Sequence, residues 1–396
     1  MKATSLQLYT APRLTSEDDA VLAEIHQMRK ELRHALKTPK RWEGRLRRSA
    51  RAKAIQGSNS IEGINVAEDD AAAALDDEEP LSADEKTFAE IKGYQRAMEY
   101  VLSLGSDRET DFDVAEIKAM HFMLLQHEPS KSPGHWRKGP IYVHNDRTDQ
   151  IVYEGPDAES VPELMGALIE SLHTGISSDP VVRSAMAHLN LVMIHPFRDG
   201  NGRMGRAVAA LVLTRSDIGE PTFSSIEEWL GANSDDYYAA LAHTGHGKWA
   251  PRPDAHLWLS FCLRAHHMQA QTVARRIQEV SDAWVAFDAI REGLKLPERV
   301  MDALFDAWIG YRVRRGGYMK RAQVEGHTAT RDLAQLAELG LLEASGSGRG
   351  RYYTAGPQIK EIRQKIVGER RPLVDPYPWM RPKLAEEINT QFPATQ

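Results

Sequence analysis

The sequence predicts a mainly α-helical protein broken by one β-hairpin and followed by a winged helix-turn-helix module. Three observations carry that expectation. Apolar residues recur at three- and four-residue intervals through most of the chain, the spacing that lines one face of a helix. Strict apolar–polar alternation is confined to two short runs, one holding Ile141 and Val143 and the other Ile151 and Tyr153. Near the end, HTATRDLAQLAELGLLEASGSGRGRYYTAG gives a helix with a Thr-rich start, a stop at Gly340, and two short strands around SGSGRG.

Composition sets the class. With 396 residues, 42% of them hydrophobic, the chain can bury a sizeable core divided into two or three domains. Cys262 is the single cysteine, so an intrachain disulfide and a cysteine-rich metal site are both excluded. A net charge of -6 argues against a uniformly basic nucleic-acid coat but leaves room for a local patch. The start lacks the apolar run of a secretory signal, and no segment approaches the ~18 apolar residues of a membrane span. The expectation is a cytoplasmic protein with no membrane contact.

The elements follow in order. Leu22, Ile25, Met28, Leu32 and Leu36 place one buried stripe on a helix over 21–36. A basic run from Lys40 to Lys53 and an acidic run, EDDAAAALDDEEP, read as solvated faces on either side of SNSIEGINV. Helices are expected over 84–104 and 114–126. PGHWRKGPIYVHNDRTDQIVYEGP then reads as a lone hairpin whose turn is NDRTD, with an edge able to accept an extended peptide. A helix over 161–172 should start on a capping box of Ser160 and Glu163. Another, over 181–194, delivers the chain to HPFRDGNGRMGR.

These twelve residues, 195–206, hold one imidazole, one carboxylate, three glycines and three guanidiniums. Pro196 cannot continue the preceding helix, so the chain must loop. Asp199, Gly200, Asn201 and Gly202 expose successive backbone N–H groups ahead of a helix beginning near Arg203, a ready anion site. Arg203 and Arg206, three apart, lie on one side of that helix and can grip phosphate in a bidentate fork. Asp199 is placed to hold Mg²⁺, which commonly takes one carboxylate together with phosphate oxygens. His195 supplies a base near neutral pH. Phe197 reads as an aromatic anchor beneath the loop, and His188, two turns before His195, as structural. The stretch matches neither the Walker pattern nor the HExxH zinc spacing.

HPFRDGNGRMGR resembles the HPFxDGNGRxxR signature of the Fic family, whose members transfer AMP from ATP to protein hydroxyls, and the likeness extends over residues 110–265. The resemblance implies that His195 deprotonates the target hydroxyl and Asp199 binds Mg²⁺. It also implies that Gly200, Asn201, Gly202, Arg203, Met204, Gly205 and Arg206 surround the phosphates of ATP. The hairpin, 139–153, becomes a flap that aligns a protein substrate, this chain itself included. WLGANSDDYY resembles the segment bordering adenine, which makes Asn233 and Tyr237 candidates there. SNSIEG fits the family's inhibitory pattern of a serine or threonine, three residues, a glutamate and a glycine or asparagine. By resemblance, then, Ser58 and Glu62 belong to an inhibitory helix on the N-terminal side of the core, with Glu62 paired to Arg206 in the γ-phosphate's place. In some relatives the same glutamate aligns water to remove AMP.

The expected organisation is an N-terminal helical region at 1–109 and a Fic core at 110–265. A helical connector at 266–293, a winged-helix domain at 294–356 and a C-terminal tail at 357–396 follow. Between Tyr311 and Tyr353 stand eight Arg or Lys against four Asp or Glu, a surplus of four positive charges. Such a patch can touch DNA through phosphates, with Thr330 and Arg331 as readers, but winged domains also bind proteins or form homodimers. Two other readings therefore stay open: a nucleotide-responsive DNA-binding regulator, and a Fic enzyme that transfers a different phosphate-containing group.

Overall fold

A computed structural model describes residues 7–36, 40–107, 111–144, 150–174, 179–216, 225–251 and 254–391. The architecture is mainly helical, as the three- and four-residue spacings predict. It is organised around helix α7 (Pro180–Ile194), which is apolar on nearly every side and correspondingly buried. Its Ala187, Leu191 and Ile194 face one core, shared with α4 (Glu85–Ser106), α5 (Val114–Leu125), α6 (Val161–Thr174) and α8 (Asn201–Arg215). Its Val181, Ala185, Leu189 and Met193 face a second, built with α1 (Ser16–Ala35) and the helices Ser234–Gly245 and His256–Gly293. The loop between α7 and α8 is thus suspended from a helix gripped on two sides.

Helix starts are set by caps. Thr15 and Asp18 form a capping box at α1, Asp113 and Glu116 form one at α5, and Asp84 accepts the Thr87 N–H at 2.7 Å. The box expected at Ser160 and Glu163 is replaced: Ser160 closes a 3-10 turn on the Asp157 carbonyl at 3.0 Å, and that turn runs directly into α6.

The hairpin forms from β1 (Tyr142–His144) and β2 (Ile151–Glu154), antiparallel, with Val143 opposite Tyr153. Its expected NDRTD turn falls outside the described residues. The hairpin is not isolated. Glu154 donates to the Gly247 carbonyl at 2.9 Å and accepts from the Trp249 N–H at 2.8 Å, which covers part of the β2 edge and leaves β1 on the outside.

Two sequence expectations are corrected by long-range charge pairing. The acidic run is solvated only in part, at Asp77 and Glu79. Glu68–Leu75 forms helix α3, and with the residues after it meets cations near the C-terminus: Arg312 on Asp69 at 2.8 Å, Arg314 on Glu78 at 2.8 Å and Arg321 on Asp76 at 2.7 Å. The basic run is likewise engaged, since α2 (Glu43–Ile61) pairs Arg45 with Asp302 at 2.7 Å and Arg48 with Asp76 at 2.6 Å. Neither set of partners is close in sequence, and local composition carried no sign of them.

The helix His256–Gly293 runs unbroken for 38 residues, through position 265. Beyond it stand three short helices, Met301–Ile309, Arg315–Ala322 and Gly326–Glu338, and an antiparallel ribbon of β3 (Leu342–Ser345) and β4 (Tyr352–Ala355). Gly340, at φ 70°, ends the third helix, and Val313 bridges to Tyr353. Past residue 356 the chain folds back. Tyr377, Met380 and Leu384 enter the core that α7 shares with α1, and Arg264 pairs with Asp375 at 2.5 Å.

Asp18 shows how tightly that return is fastened. Its buried carboxylate accepts from Tyr377 at 2.8 Å, from Ser260 at 3.1 Å and from His256 at 2.7 Å. Burial alone raises its pKa, but the hydrogen bonds from Thr15, His256 and Tyr377 outweigh that and hold it down to about 2. A depressed carboxylate stabilises the fold above its unfolded pKa, near 3.8, and that contribution fades as pH falls toward 2. Asp18→Asn is therefore expected to lower the urea midpoint at pH 7 and to flatten its dependence on pH between about 4 and 2. An unchanged midpoint at pH 7 would contradict this.

Candidate active site

The motif begins where α7 stops. His195 takes the C-cap position at φ 50°, a left-handed conformation costing a non-glycine residue about 1–2 kcal/mol. Three hydrogen bonds hold it there. Its N–H donates to the Leu191 carbonyl at 3.0 Å, its Nδ1 lies 3.0 Å from the Val192 carbonyl, and its own carbonyl accepts Arg137 Nε at 2.8 Å. With Nδ1 facing a carbonyl, the proton sits on Nδ1 and Nε2 is left as a basic lone pair. Burial pushes the imidazole pKa below its usual 6.5, and the nearby Arg137 guanidinium pushes the same way. Val192, Glu62 and Asp199 oppose the shift without cancelling it. The neutral, proton-accepting form is favoured at pH 7.

Below the loop, Phe197 is fully buried and stacks on His121, ring centroids 3.7 Å apart and 7° from parallel. His121 accepts the Gly134 N–H on Nδ1 at 2.9 Å and donates from Nε2 to the Asp199 carbonyl at 3.0 Å. Desolvation drops its pKa to about 4, so it acts as a neutral brace. Asn201 is a second brace: its Oδ1 accepts the Phe197 N–H at 2.9 Å and its Nδ2 donates to the Phe197 carbonyl at 3.0 Å. With its side chain so engaged, Asn201 offers an anion its main-chain N–H.

Gly200 caps α8 at φ 75°, and a Cβ there would press on Leu124 and Leu125 at 3.1 and 3.2 Å. Asp199 points outward, its Oδ2 2.8 Å from Lys131 Nζ and its Oδ1 accepting the Gly200 N–H at 2.6 Å. Burial would raise this carboxyl, but Lys131 and the Gly200 N–H prevail and keep it ionised. Among the described residues no cluster of three or more His, Cys, Asp or Glu assembles. Mg²⁺ does not need one, because it takes a single carboxylate with phosphate oxygens and water. Lys131 rests where such a cation would neutralise Asp199.

On α8 the two arginines are buried and paired. Arg203 reaches Glu90 of α4 at 2.5 Å. Arg206 donates to Ser58 Oγ at 2.7 Å, to the Ser58 carbonyl at 2.8 Å and to Glu62 Oε1 at 2.7 Å. Arg203 Nε and Arg206 Nη1 remain buried without an acceptor, donors that an anion in the loop can satisfy. Glu62 caps the C-terminal end of α2, where the helix dipole disfavours a carboxylate. Its side chain instead leans over the N-terminus of α8, so close that a Cβ on Gly202 would overlap Oε1. A carboxylate thus already sits where N–H groups and a guanidinium converge. Tyr238 holds the same turn, donating to the Ile61 carbonyl at 2.7 Å.

Four further sequence candidates are engaged by the protein itself. Met204 is wholly buried in the core under α8. Gly205 lets α8 approach α7, since a Cβ would stand 2.7 Å from Val192 Cγ2 and 2.8 Å from His188. Gly205→Ala is expected to cost about 1–3 kcal/mol of overpacking, read as a lower urea midpoint; an unchanged midpoint would remove that packing role. Tyr237 is 1% exposed, its hydroxyl 3.0 Å from His188 Nε2 and beside the Arg206 guanidinium. Asn233 is engaged at both polar ends, donating to the Trp229 carbonyl at 2.8 Å and accepting from Arg381 at 2.8 Å.

Arg137, within the quoted PGHWRKGP, had no assigned role. Beyond His195 it donates to the Gly139 carbonyl at 2.8 Å and the Pro156 carbonyl at 2.5 Å, the two ends of the hairpin. One guanidinium therefore registers the flap against the base. Tyr153 adds a tie, its hydroxyl donating to the Met193 carbonyl at 2.8 Å.

Comparison with known proteins gives relatives for part of the chain. A family model described as the Fic/DOC family matches residues 111–213. Protein adenylyltransferase fic-1 of Caenorhabditis elegans is 26% identical over 245 residues, covering 61% of this chain and 45% of that protein. Protein adenylyltransferase Fic of Drosophila willistoni is 30% identical over 221 residues, covering 54% of this chain and 40% of its own length. The chain spans less than half the length of these curated relatives. Among solved structures, a Fic family protein from Desulfovibrio desulfuricans G20 superposes with a TM-score of 0.57 at 23% identity, over 88% of this chain and 99% of that one. A fragment of C. elegans Fic-1 gives 0.54 at 23% identity, over 66% and 73%. Both share the fold.

Proposed function

Starting from a chain whose residues 111–213 are a Fic/DOC family domain, we propose a protein adenylyltransferase that moves AMP from MgATP to a protein hydroxyl and is held inactive by Glu62. The observation that carries the reading is the seat of Glu62: its carboxylate lies over the N-terminus of α8 and binds Arg206 at 2.7 Å, an internal anion in a site built for anions. With Glu62 withdrawn, the α8 N–H groups, Arg203 and Arg206 take the triphosphate. Mg²⁺ on Asp199 would supply neutralising charge to the phosphates.

His195 Nε2 then accepts the proton of a target hydroxyl laid along the hairpin, and that oxygen attacks the α-phosphorus as pyrophosphate departs. Phosphoryl chemistry of this kind asks for alignment, charge neutralisation and a base rather than covalent help. The outer edge of β1 supports docking of an extended protein segment, with Tyr142 and Ile151 exposed on the hairpin. A segment of a second copy of this chain is one such target.

A DNA-binding regulator is the weaker reading. Arg312, Arg314, Lys320 and Arg321 are half of the eight basic residues in the C-terminal winged-helix candidate, and all four already contact the acidic run. Exposed Thr330 and Arg331 remain as readers. No helix among the described residues is long and apolar enough to cross a membrane. Intact mass spectrometry of the Glu62→Gly protein after incubation with MgATP is expected to show covalent AMP on the chain or an added substrate. Absence of any adduct in that variant contradicts transferase activity and favours a nucleotide sensor.

A further inference from the structure

Helix α2 ends in two different places. Its last turn brings Ser58 and Glu62 to the anion loop, while its first turns lie in the core of the C-terminal module. Trp42 and Leu46 are buried with Leu304, Phe305 and Trp308, and Arg45 pairs with Asp302 at 2.7 Å. At 19 residues the helix is a rod of about 28 Å. The chain leaving Glu62 returns to the same module through α3, where Tyr311 donates to Glu68 at 2.8 Å and Arg312 to Asp69 at 2.8 Å.

We propose that the C-terminal module, residues 294–368, clamps α2 in its inhibitory position by holding the two arms on either side of the Glu62 turn. The centre of the clamp is a closed ring of alternating charge. Arg48 of α2 meets Asp76 at 2.6 Å, Asp76 meets Arg321 at 2.7 Å, Arg321 meets Asp306 at 2.6 Å, and Asp306 returns to Arg48 at 3.2 Å. None of the four side chains is more than 17% exposed. A buried ring has a strong geometric preference, because losing one member leaves charges unpaired away from water. The inference rests on the reading of Glu62 as an occupant of the anion site and goes beyond it. Inhibition is set at a distance from the loop, by an interface between sequence-remote segments. Whatever loosens the module from residues 43–79 raises the fraction of molecules open to nucleotide, and apparent affinity rises in proportion to that fraction.

The test uses the full chain and calorimetric titration with a non-cleavable ATP analogue plus Mg²⁺. Arg312→Glu breaks the pairing with Asp69 without touching the loop. It is expected to tighten analogue binding at least fivefold and to raise [α-³²P]AMP incorporation to match. The swapped pair Asp69→Arg with Arg312→Asp should return both toward wild type, and in a Glu62→Gly background neither change should add anything. Arg312→Glu binding as weakly as wild type while Glu62→Gly binds tightly would overturn the clamp and leave the site reading intact. If Glu62→Gly also fails to bind, the site reading fails and the clamp has nothing to control. Should Arg312→Glu not fold, hydrogen exchange on the wild type decides. Rising salt should expose the amides of 43–61 and 311–321 together, and opening of 43–61 alone refutes the coupling.

Discussion

Replacing His195 with alanine is expected to cut AMP transfer by about 10²- to 10⁴-fold, the usual contribution of a general base, while nucleotide affinity changes little. The separation follows from geometry. Imidazole Nδ1 is committed to Val192, so the side chain offers the site one basic nitrogen, whereas the anion donors belong to α8. The loop itself keeps its braces in the variant, because the Phe197–His121 stack and the Asn201–Phe197 hydrogen bonds are made without the imidazole. Because burial and Arg137 hold the His195 pKa below 6.5, the rise of activity with pH should be complete before that of a free imidazole. Joint loss of binding and transfer in a folded variant would make His195 a structural residue.

The second large effect is expected at Glu62. Its charge-assisted bond to Arg206 is worth about 1.5–3 kcal/mol, equivalent to roughly ten- to more than a hundred-fold in population. Glu62→Gly should raise AMP incorporation by that order. Arg206 would remain anchored by Ser58 through two hydrogen bonds, so the fold and the arginine's position survive the change. Equal incorporation by wild type and variant, measured with [α-³²P]ATP, would refute inhibition by this carboxylate.

What the sequence revealed and what it hid divide along sequence distance. HPFRDGNGRMGR was legible because a helix end, a glycine loop and a helix start are local events, each with its own residue signals. Phe197 beneath the loop follows from the same short-range logic. Glu90, which holds Arg203 across 113 residues, was not legible. Nor were Arg137, which reaches His195 across 58, and the pairing of the acidic run with Arg312 across 243. Their chemistry is ordinary surface chemistry until folding brings the partners together. The contacts of Tyr237 and Asn233 were hidden for a related reason: one tyrosine and one asparagine beside a helix start look alike whether they meet a ligand or a neighbour such as His188 or Arg381. Glu62 was found only through its pattern, since a glutamate at a helix C-terminus has no local reason to be there. The reason is Arg206, 144 residues away.

The central claim is that the α8 N-terminus is a polyphosphate site closed by an internal carboxylate. Calorimetry with a non-cleavable ATP analogue and Mg²⁺ addresses it most directly, comparing wild type, Glu62→Gly, and Glu62→Gly combined with Arg206→Ala. Weak binding in the first, binding tightened at least tenfold in the second and loss again in the third is the predicted order. Equal heats across all three proteins, or none in any, would contradict it.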